Sequence, residues 1–264
     1  MKITLLHPLA SSNCDAELLT PRGMVRFAQA ADEAGFDALA FTEHPAPPQK
    51  WLDTGGHGSL DPFAALSFCA AVTTRIRLMT YLLVLPYRSP LVTLKAATSV
   101  DQLSEGRLTL TVGNGYLASE FRNLGVDFDS RVEAFDDALN ILRAGWNTPT
   151  LSYESERSQL KDVALTPAPV QSSLPLLIGG NSGIARRRAA TIADGWSPLV
   201  STPERSARNR MAAITCVEEL RVAAAKMRDT ATEAGRDADT LTVQTDFPLT
   251  EPRVAMQAPR DQHL

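Results

Sequence analysis

The sequence has little cysteine and no excess of basic charge. Its 264 residues include three cysteines, Cys14, Cys69 and Cys216, which are widely spaced and form no Cys-x-x-Cys pair. This pattern argues against a disulfide framework and a cysteine zinc site, and it fits a reducing cytoplasm. The net charge is −4, with acidic and basic residues interspersed. Because nucleic-acid-binding surfaces are basic, a nucleic-acid partner is not expected.

Long apolar runs are also missing. No stretch approaches the roughly 18 consecutive apolar residues of a membrane-spanning helix. The N-terminal segment, Met1 to Pro8, has too short an apolar run for a signal peptide. With 44% hydrophobic residues, the chain can nevertheless bury a full core. We therefore expect a cytoplasmic globular protein without a membrane partner.

Short apolar segments alternate with amphipathic helical patterns along the chain. The predicted strands cover residues 3–6, 38–42, 76–84, 107–112, 175–178, 195–199 and 241–247. Such alternation predicts an α/β fold with a parallel sheet. Between residues 147 and 173 the pattern weakens, and we expect an excursion over one end of a single domain that spans residues 1–264.

The positions of the polar and glycine-rich segments favour a closed (β/α) barrel over an open doubly wound sheet. An open sheet is expected to carry G-x-G-x-x-G after its first strand. Here the first strand leads to His7-Pro8 instead. In a barrel, functional groups gather at the C-terminal ends of several strands. That distribution is found in Glu43-His44, in residues 113–115 and in residues 179–182.

The loop from Phe41 to Phe63 concentrates side chains that are typical of a site. It holds His44, His57 and Trp51 together with four prolines. Proline restricts the backbone, whereas the glycines of this loop allow close approach of another group. The histidines match no standard ligand spacing such as His-Glu-x-x-His, so we predict no metal.

The segment from Gly179 to Ser182 joins a predicted strand to a predicted helix. Backbone N–H groups at a helix start bind phosphate readily, and glycine lets a bulky cofactor approach the main chain. We predict a phosphate site at this turn. The alternative is a routine strand-to-helix turn capped by Ser182.

An ordered set of motifs resembles the bacterial luciferase-like monooxygenase family. The motifs are Gly-Phe-Asp-Ala-Leu-Ala-Phe-Thr-Glu-His (35–44), Thr-Arg-Ile-Arg-Leu (74–78), Leu-Pro-Tyr-Arg-Ser-Pro (85–90), Leu-Ser-Glu-Gly-Arg-Leu (103–108), Val-Gly-Asn-Gly-Tyr (112–116), Glu-Phe-Arg-Asn-Leu-Gly-Val (120–126), Ile-Gly-Gly-Asn-Ser (178–182) and Asp-Gly-Trp (194–196). The loop after the second strand is most similar to the branch of coenzyme F420-dependent oxidoreductases. The resemblance extends in order over residues 1–247.

This resemblance implies a TIM-like (β/α) barrel that holds F420, or FMN as the alternative, at the C-terminal ends of its strands. It implies that His44 lies near the flavin-like ring and acts in catalysis, which suits an imidazole because it exchanges protons near neutral pH. Glu43 would orient His44 or the ring, with a solvated strand-end carboxylate as the alternative. Trp51 and His57 would form a lid or contact the substrate.

The other cofactor contacts implied by the resemblance lie at further strand ends. A non-prolyl cis peptide at Tyr81–Leu82 would support the ring from behind. Relatives place a carboxylate acid near position 114, where the amide of Asn114 cannot donate a titrating proton, so the proton donor is unassigned. The implied cofactor-binding residues are Thr80, Tyr81, Leu82, Gly113, Asn114, Gly115, Gly179, Gly180, Asn181 and Ser182.

The largest departure from the family pattern lies after the seventh predicted strand. The family adds a further helix, strand and helix, whereas residues 248–264 are too few for an eighth β/α unit. Val254-Ala255-Met256 would supply at most a token strand. Otherwise the barrel would be open, with strand edges that must be covered or paired.

Three functions are compatible with these observations. The favoured one is an F420-dependent oxidoreductase that transfers a hydride between F420 and a small organic substrate. The second is an FMN-dependent luciferase-like monooxygenase. The third is a truncated, non-catalytic cofactor-binding protein, suggested by the shortened end. A homodimer is compatible with all three, and the substrate is not specified because it would contact variable loops such as 147–173.

Overall fold

The protein consists of two compact units. A computed structural model describes residues 1–10, 14–208 and 211–246. The first unit comprises residues 1–178, and the second begins at Gly179. The single domain expected from the sequence stays a prediction.

A parallel sheet forms the centre of the first unit. Its strand order is β1-β2-β3-β5-β8, and β4 pairs with the C-terminal end of β5. Strands β2, β5 and β8 are buried along their whole length, as expected for strands covered on both faces. The strands of this unit are β1 (Thr4–Leu6), β2 (Ala38–Phe41), β3 (Arg77–Thr80), β4 (Leu83–Val84), β5 (Leu108–Gly113), β6 (Thr150–Glu154), β7 (Gln159–Ala164) and β8 (Leu176–Gly179).

Three helices of the first unit begin at a proline. Proline occupies the first helical position of α1, α3 and α4, where its missing N–H costs least. The side chains of Thr20 and Asp61 cap α1 and α3 by accepting hydrogen bonds from backbone N–H groups. The helices are α1 (Pro21–Glu33), α2 (Gln49–Asp53), α3 (Pro62–Val72), α4 (Pro90–Leu103), α5 (Ala118–Asn123) and α6 (Arg131–Gly145).

Two segments of the first unit differ from the expectation. The predicted strand 76–84 is divided into β3 and β4, and the peptide bond between Tyr81 and Leu82 is cis, which confirms that prediction. The weakly patterned region 147–173 contains the antiparallel hairpin β6–β7. The hydrophobic pattern did not indicate this hairpin because polar groups anchor it. The hydroxyls of Tyr153, Ser155 and Ser158 donate hydrogen bonds to the buried Asp137.

The second unit contains a pair of parallel strands and three helices in its described part. Helix α7 packs against α9. The predicted strand 241–247 is reduced to two residues. Position 247 and the token strand expected at 254–256 lie outside the described residues. The elements are α7 (Gly183–Thr191), β9 (Gly195–Ser197), α8 (Pro203–Arg208), α9 (Val217–Glu233) and β10 (Thr242–Val243).

Within the ranges that the structure describes, helices long and apolar enough to cross a membrane are absent. Trp196 of β9 is fully buried. Its indole Nε1 donates to the carbonyl of Gly180. This tryptophan is a core residue of the second unit.

Candidate active site

His44 lies three residues beyond the end of β2 and is hydrogen-bonded to a glutamate from a distant part of the chain. Its Nδ1 is 3.0 Å from Oε2 of Glu120, which belongs to α5. The side chain of His44 is 10% exposed, and that of Glu120 is fully buried. Among the described residues, none hydrogen-bonds Nε2 of His44. Glu120 therefore holds Nδ1 of the imidazole, and Nε2 is available to a ligand.

Glu120 is surrounded by hydrogen-bond donors. Besides His44, the hydroxyl of Tyr87 donates to Oε2 at 3.0 Å, and the backbone N–H of Ala46 donates to Oε1 at 2.9 Å. These bonds offset the cost of burying the carboxylate. When Nδ1 of His44 donates to this carboxylate, Nε2 of the neutral ring is an acceptor.

The loop that carries His44 is tied to its surroundings on both sides of the histidine. The backbone N–H of His44 donates to Oγ of Ser59 at 2.7 Å. The side chain of Asn123 donates to the carbonyl of Ala46 at 3.1 Å, while Glu120 binds the N–H of the same residue. Helix α5 therefore positions both the carboxylate and the backbone next to the imidazole.

Aromatic rings cover His44. The ring centroid of Trp51 is 4.5 Å from that of His44, and the ring of His57 is 4.9 Å away. Tyr116 lies further off, at 6.3 Å. A Cβ at Gly56 would lie 2.3 Å from the Trp51 ring, so this glycine makes room for the indole. The predicted lid residues thus pack directly on the imidazole and shield it from water.

Glu43 has different partners from those of His44. Its carboxylate accepts hydrogen bonds from the N–H of Val84 and from Nε of Arg88, both at 2.6 Å. The guanidinium of Arg88 also contacts Asp61 at 2.5 Å and so joins the two ends of the loop. Burial raises the pKa of Glu43, and the Arg88 cation opposes that shift. We infer that Glu43 shapes the loop, and its catalytic role stays a prediction.

The predicted cofactor contacts on β3 to β5 lie near one another in the first unit. The hydroxyl of Thr80 exchanges hydrogen bonds with the backbone of Thr111, inside the sheet. Leu82 packs against Gly113, where a Cβ would come within 2.8 Å of its side chain. Asn114 and Gly115 are half-buried in the segment between β5 and α5. Tyr81 packs on a buried cluster, which consists of Ala38, Ala40, Met79 and Leu177.

The turn from Gly179 to Ser182 belongs to the second unit. Ser182 caps α7 by accepting from the N–H of Ala185. The side chain of Asn181 is hydrogen-bonded to the backbone of Leu199 and Ala212, so its amide holds the unit together. A cavity of about 310 Å³ lies beside the turn, lined by Asn181, Arg186 and residues of α9. The capped-turn alternative describes this geometry, and phosphate binding stays a prediction.

Sequence reasoning missed Glu120 and Tyr87 as site residues. Both lie within motifs that carried the family resemblance. Glu120 is in a helix of six residues and Tyr87 in a single helical turn, and both are too short for periodicity to indicate which side chain is buried. In the part of the chain that the structure describes, no group of three or more His, Cys, Asp or Glu side chains is arranged to hold a metal ion.

Solved structures share the fold of this chain. A monooxygenase from Streptomyces bottropensis matches it with a TM-score of 0.76 and 22% identity, over 92% of this chain and 70% of its own. The coenzyme F420 dependent tetrahydromethanopterin reductase from Methanopyrus kandleri matches with a TM-score of 0.69 and 20% identity, over 93% of this chain and 64% of its own. The fold class is therefore the α/β, TIM-like fold of luciferase-like enzymes.

The family follows from the sequence match. The luciferase-like monooxygenase family model matches residues 1–250, and the chain belongs to this family. An uncharacterized protein of Mycobacterium tuberculosis is 31% identical over 186 residues, which are 65% of this chain and 63% of the relative. The F420-dependent glucose-6-phosphate dehydrogenase of Gordonia bronchialis is 28% identical over 189 residues, which are 69% of this chain and 54% of the relative. The chain thus spans less than two thirds of the length of these curated relatives.

Proposed function

We propose that the protein is an F420-dependent oxidoreductase that transfers a hydride between F420 and a small organic substrate with a hydroxyl or carbonyl group. The family membership and the F420-dependent relatives support this proposal. The observation that carries it is the buried hydrogen bond between His44 and Glu120, which leaves one nitrogen of a shielded imidazole available.

The residues of the first unit fit such a cofactor and substrate by their chemistry. A planar heteroaromatic ring packs favourably beside aromatic side chains, and Trp51, His57 and Tyr116 surround His44. A polar substrate group needs a proton acceptor or donor, which Nε2 of His44 provides. F420, when bound, supplies the hydride exchange. The residues of the protein would bind and orient the cofactor and the substrate, and they would exchange a proton with the substrate.

His44 is proposed to move that proton. In the oxidising direction, bound F420 would be the hydride acceptor for an alcohol substrate. The hydroxyl proton passes to Nε2 of His44, and a carbonyl group results. Glu120 accepts the Nδ1–H of the same ring and stabilises the imidazolium that forms, as carboxylates do for catalytic histidines elsewhere. In the reducing direction the same groups act in reverse.

Cofactor titration tests the proposal. Purified protein is titrated separately with F420 and with FMN, and the fluorescence of each cofactor is followed. Micromolar binding of F420 without comparable binding of FMN is expected. Binding of neither cofactor would overturn the proposal. The variant His44→Ala should bind F420 but lose at least about tenfold in turnover. Unchanged turnover would remove His44 from the mechanism.

FMN-dependent monooxygenase chemistry is the second candidate. It is supported by the match to the luciferase-like monooxygenase family. Tight binding of FMN, with oxygen consumption by the reduced complex, would support it over the first proposal. Cofactor binding without turnover would favour a non-catalytic role. A homodimer and a cytoplasmic location stay predictions, which sedimentation and cell fractionation would test.

A further inference from the structure

Tyr87 makes a hydrogen bond that the proposed proton transfer does not use directly. It lies in a single helical turn, Leu85–Tyr87, that follows β4, and its side chain is half-buried. Its hydroxyl donates to Oε2 of Glu120 at 3.0 Å, the same oxygen that Nδ1 of His44 meets at 3.0 Å. Two donors therefore share one acceptor. We propose that Tyr87 is a positioning residue that tunes how strongly Glu120 holds the proton on His44.

The orientation of Tyr87 is fixed, and the side chain remains a donor. Its ring meets that of Phe121 edge to face at 4.7 Å, and Phe121 is the neighbour of Glu120 in α5. Burial raises the pKa of the Tyr87 hydroxyl well above its ordinary range, and the negative charge of Glu120 adds to that shift. The hydroxyl is therefore protonated near neutral pH and is a hydrogen-bond donor to Glu120.

An oxygen that accepts two hydrogen bonds attracts each donor less strongly than it would attract one donor alone. The bond from Tyr87 spreads the negative charge of Oε2 and thereby weakens the attraction of this oxygen for the Nδ1–H of His44. Without the hydroxyl, Glu120 would stabilise the protonated imidazole more strongly. His44 would then accept a proton at higher pH and release it less readily. Tyr87 thus keeps the imidazole able to exchange its proton in both directions.

Other titratable groups face this cluster and are the same in the variant used below. Glu43 faces Tyr87 but is paired with Arg88. Tyr116 and His57 lie beside the ring of His44. Because these groups are unchanged when only the hydroxyl of Tyr87 is removed, a difference between the two proteins reports on that hydroxyl.

The first test follows the proton on His44 and needs no activity. In Tyr87→Phe the ring and its contact with Phe121 are kept. The imidazole resonances are followed by NMR as a function of pH, and the signal of His44 is assigned by its loss in His44→Gln. The midpoint for His44 is expected to rise by about 0.5 pH units in Tyr87→Phe. An unchanged midpoint would overturn the proposal.

Tyr153 provides a matched control. Its hydroxyl also donates to a buried carboxylate, Oδ1 of Asp137, at 3.1 Å, but this pair anchors the β6–β7 hairpin. Tyr153→Phe should leave the titration of His44 unchanged. An equal shift in this variant would indicate a general effect of losing a hydroxyl and would also overturn the proposal.

The second test rests on the proposed function. With F420 and a turned-over substrate, Tyr87→Phe should shift the pH profile of kcat/KM to higher pH and lower kcat about threefold near neutrality, with the KM for F420 within twofold of wild type. In a Glu120→Gln background the same substitution should have no further effect, because the shared acceptor is gone. A loss of thermal stability without the pH shift would reduce Tyr87 to a packing role. If the wild type does not use F420, the proposed function fails, while the NMR titration still decides the role of Tyr87.

Discussion

Two buried glutamates of the first unit differ in the kind of partner that they have. Glu43 is 3% exposed and is paired with Arg88, whose guanidinium is permanently charged. Glu120 is fully buried and is held by a hydroxyl, a backbone N–H and the imidazole of His44. The Arg88 cation keeps its proton at physiological pH and so cannot exchange one with Glu43. An imidazole can gain and lose its proton, so only the second pair is suited to proton transfer.

The two networks also act on different parts of the same loop. Arg88 joins Glu43 and Asp61, which lie at the beginning and end of the loop. Glu120 binds the loop next to His44. One network therefore gives the loop its shape, and the other lies at the atoms proposed to react. If this division is correct, substitutions in the two networks will affect stability and turnover separately.

The largest effect is expected from Glu120→Gln, with Glu43→Gln as its comparison. Glu120→Gln should lower turnover about 100-fold or more, because an amide cannot stabilise the imidazolium as a carboxylate does. Glu43→Gln should change turnover less than tenfold but lower the melting temperature, because Arg88 loses a partner. Steady-state kinetics and thermal unfolding of both variants test the comparison. The opposite pattern would make Glu43 the catalytic carboxylate.

Arg88→Met should have the largest effect on stability. It leaves Glu43 buried without its cation, which typically costs about 3–5 kcal/mol. The double variant Arg88→Met, Glu43→Gln should recover much of this loss, because the unpaired charge is removed as well. Urea unfolding of the two single variants and the double variant gives the coupling. Additive losses would show that the two side chains do not stabilise the loop as a pair.

A smaller effect is expected from Gly56→Ala. The added methyl group would lie 2.3 Å from the Trp51 ring and should displace the indole from His44. We expect about a fivefold loss of kcat/KM and a red shift of tryptophan fluorescence. Gly58→Ala is the matched control, because a Cβ there would be 3.6 Å from Leu9, which is an ordinary contact. Equal losses in both variants would contradict a specific role of the Trp51 cover.

The smallest effect is a pH dependence of stability that involves Asp61. Although burial opposes the shift, hydrogen bonds from Arg88 and from the N–H of Ala64 lower the pKa of Asp61. A lowered pKa stabilises the folded state above the ordinary value of about 3.9, and this contribution is lost as the pH falls below it. The difference in melting temperature between wild type and Asp61→Asn should therefore shrink from about pH 5 to about pH 3. Asn retains the helix cap, so the comparison isolates the charge. A constant difference over this range would contradict the ion pair.

The sequence predicts elements better than it predicts partners. The helices that start at Pro21, Pro62 and Pro90 carry their signals within a few residues, and the cis peptide at Tyr81–Leu82 followed from the resemblance. Periodicity reports which face of an element is buried. It does not report that Glu120 will meet His44, 76 residues away, or that Arg88 will join both ends of one loop. These polar pairs depend on the tertiary fold. The one sequence signal for them is the family motif 120–126, which contains Glu120.

Hydrogen bonds and ion pairs anchor the loop of His44 at its two ends. Arg88 binds Glu43 and Asp61, and Glu120 and Asn123 bind the backbone of Ala46. The N–H of His44 donates to Ser59. The segment 49–58, which carries Trp51 and His57, lies between these attachment points. A change in its length or composition would therefore alter what covers the imidazole without moving the imidazole itself. In evolutionary terms, this arrangement would let the cover of the imidazole vary while the hydrogen bonds that hold His44 are inherited unchanged.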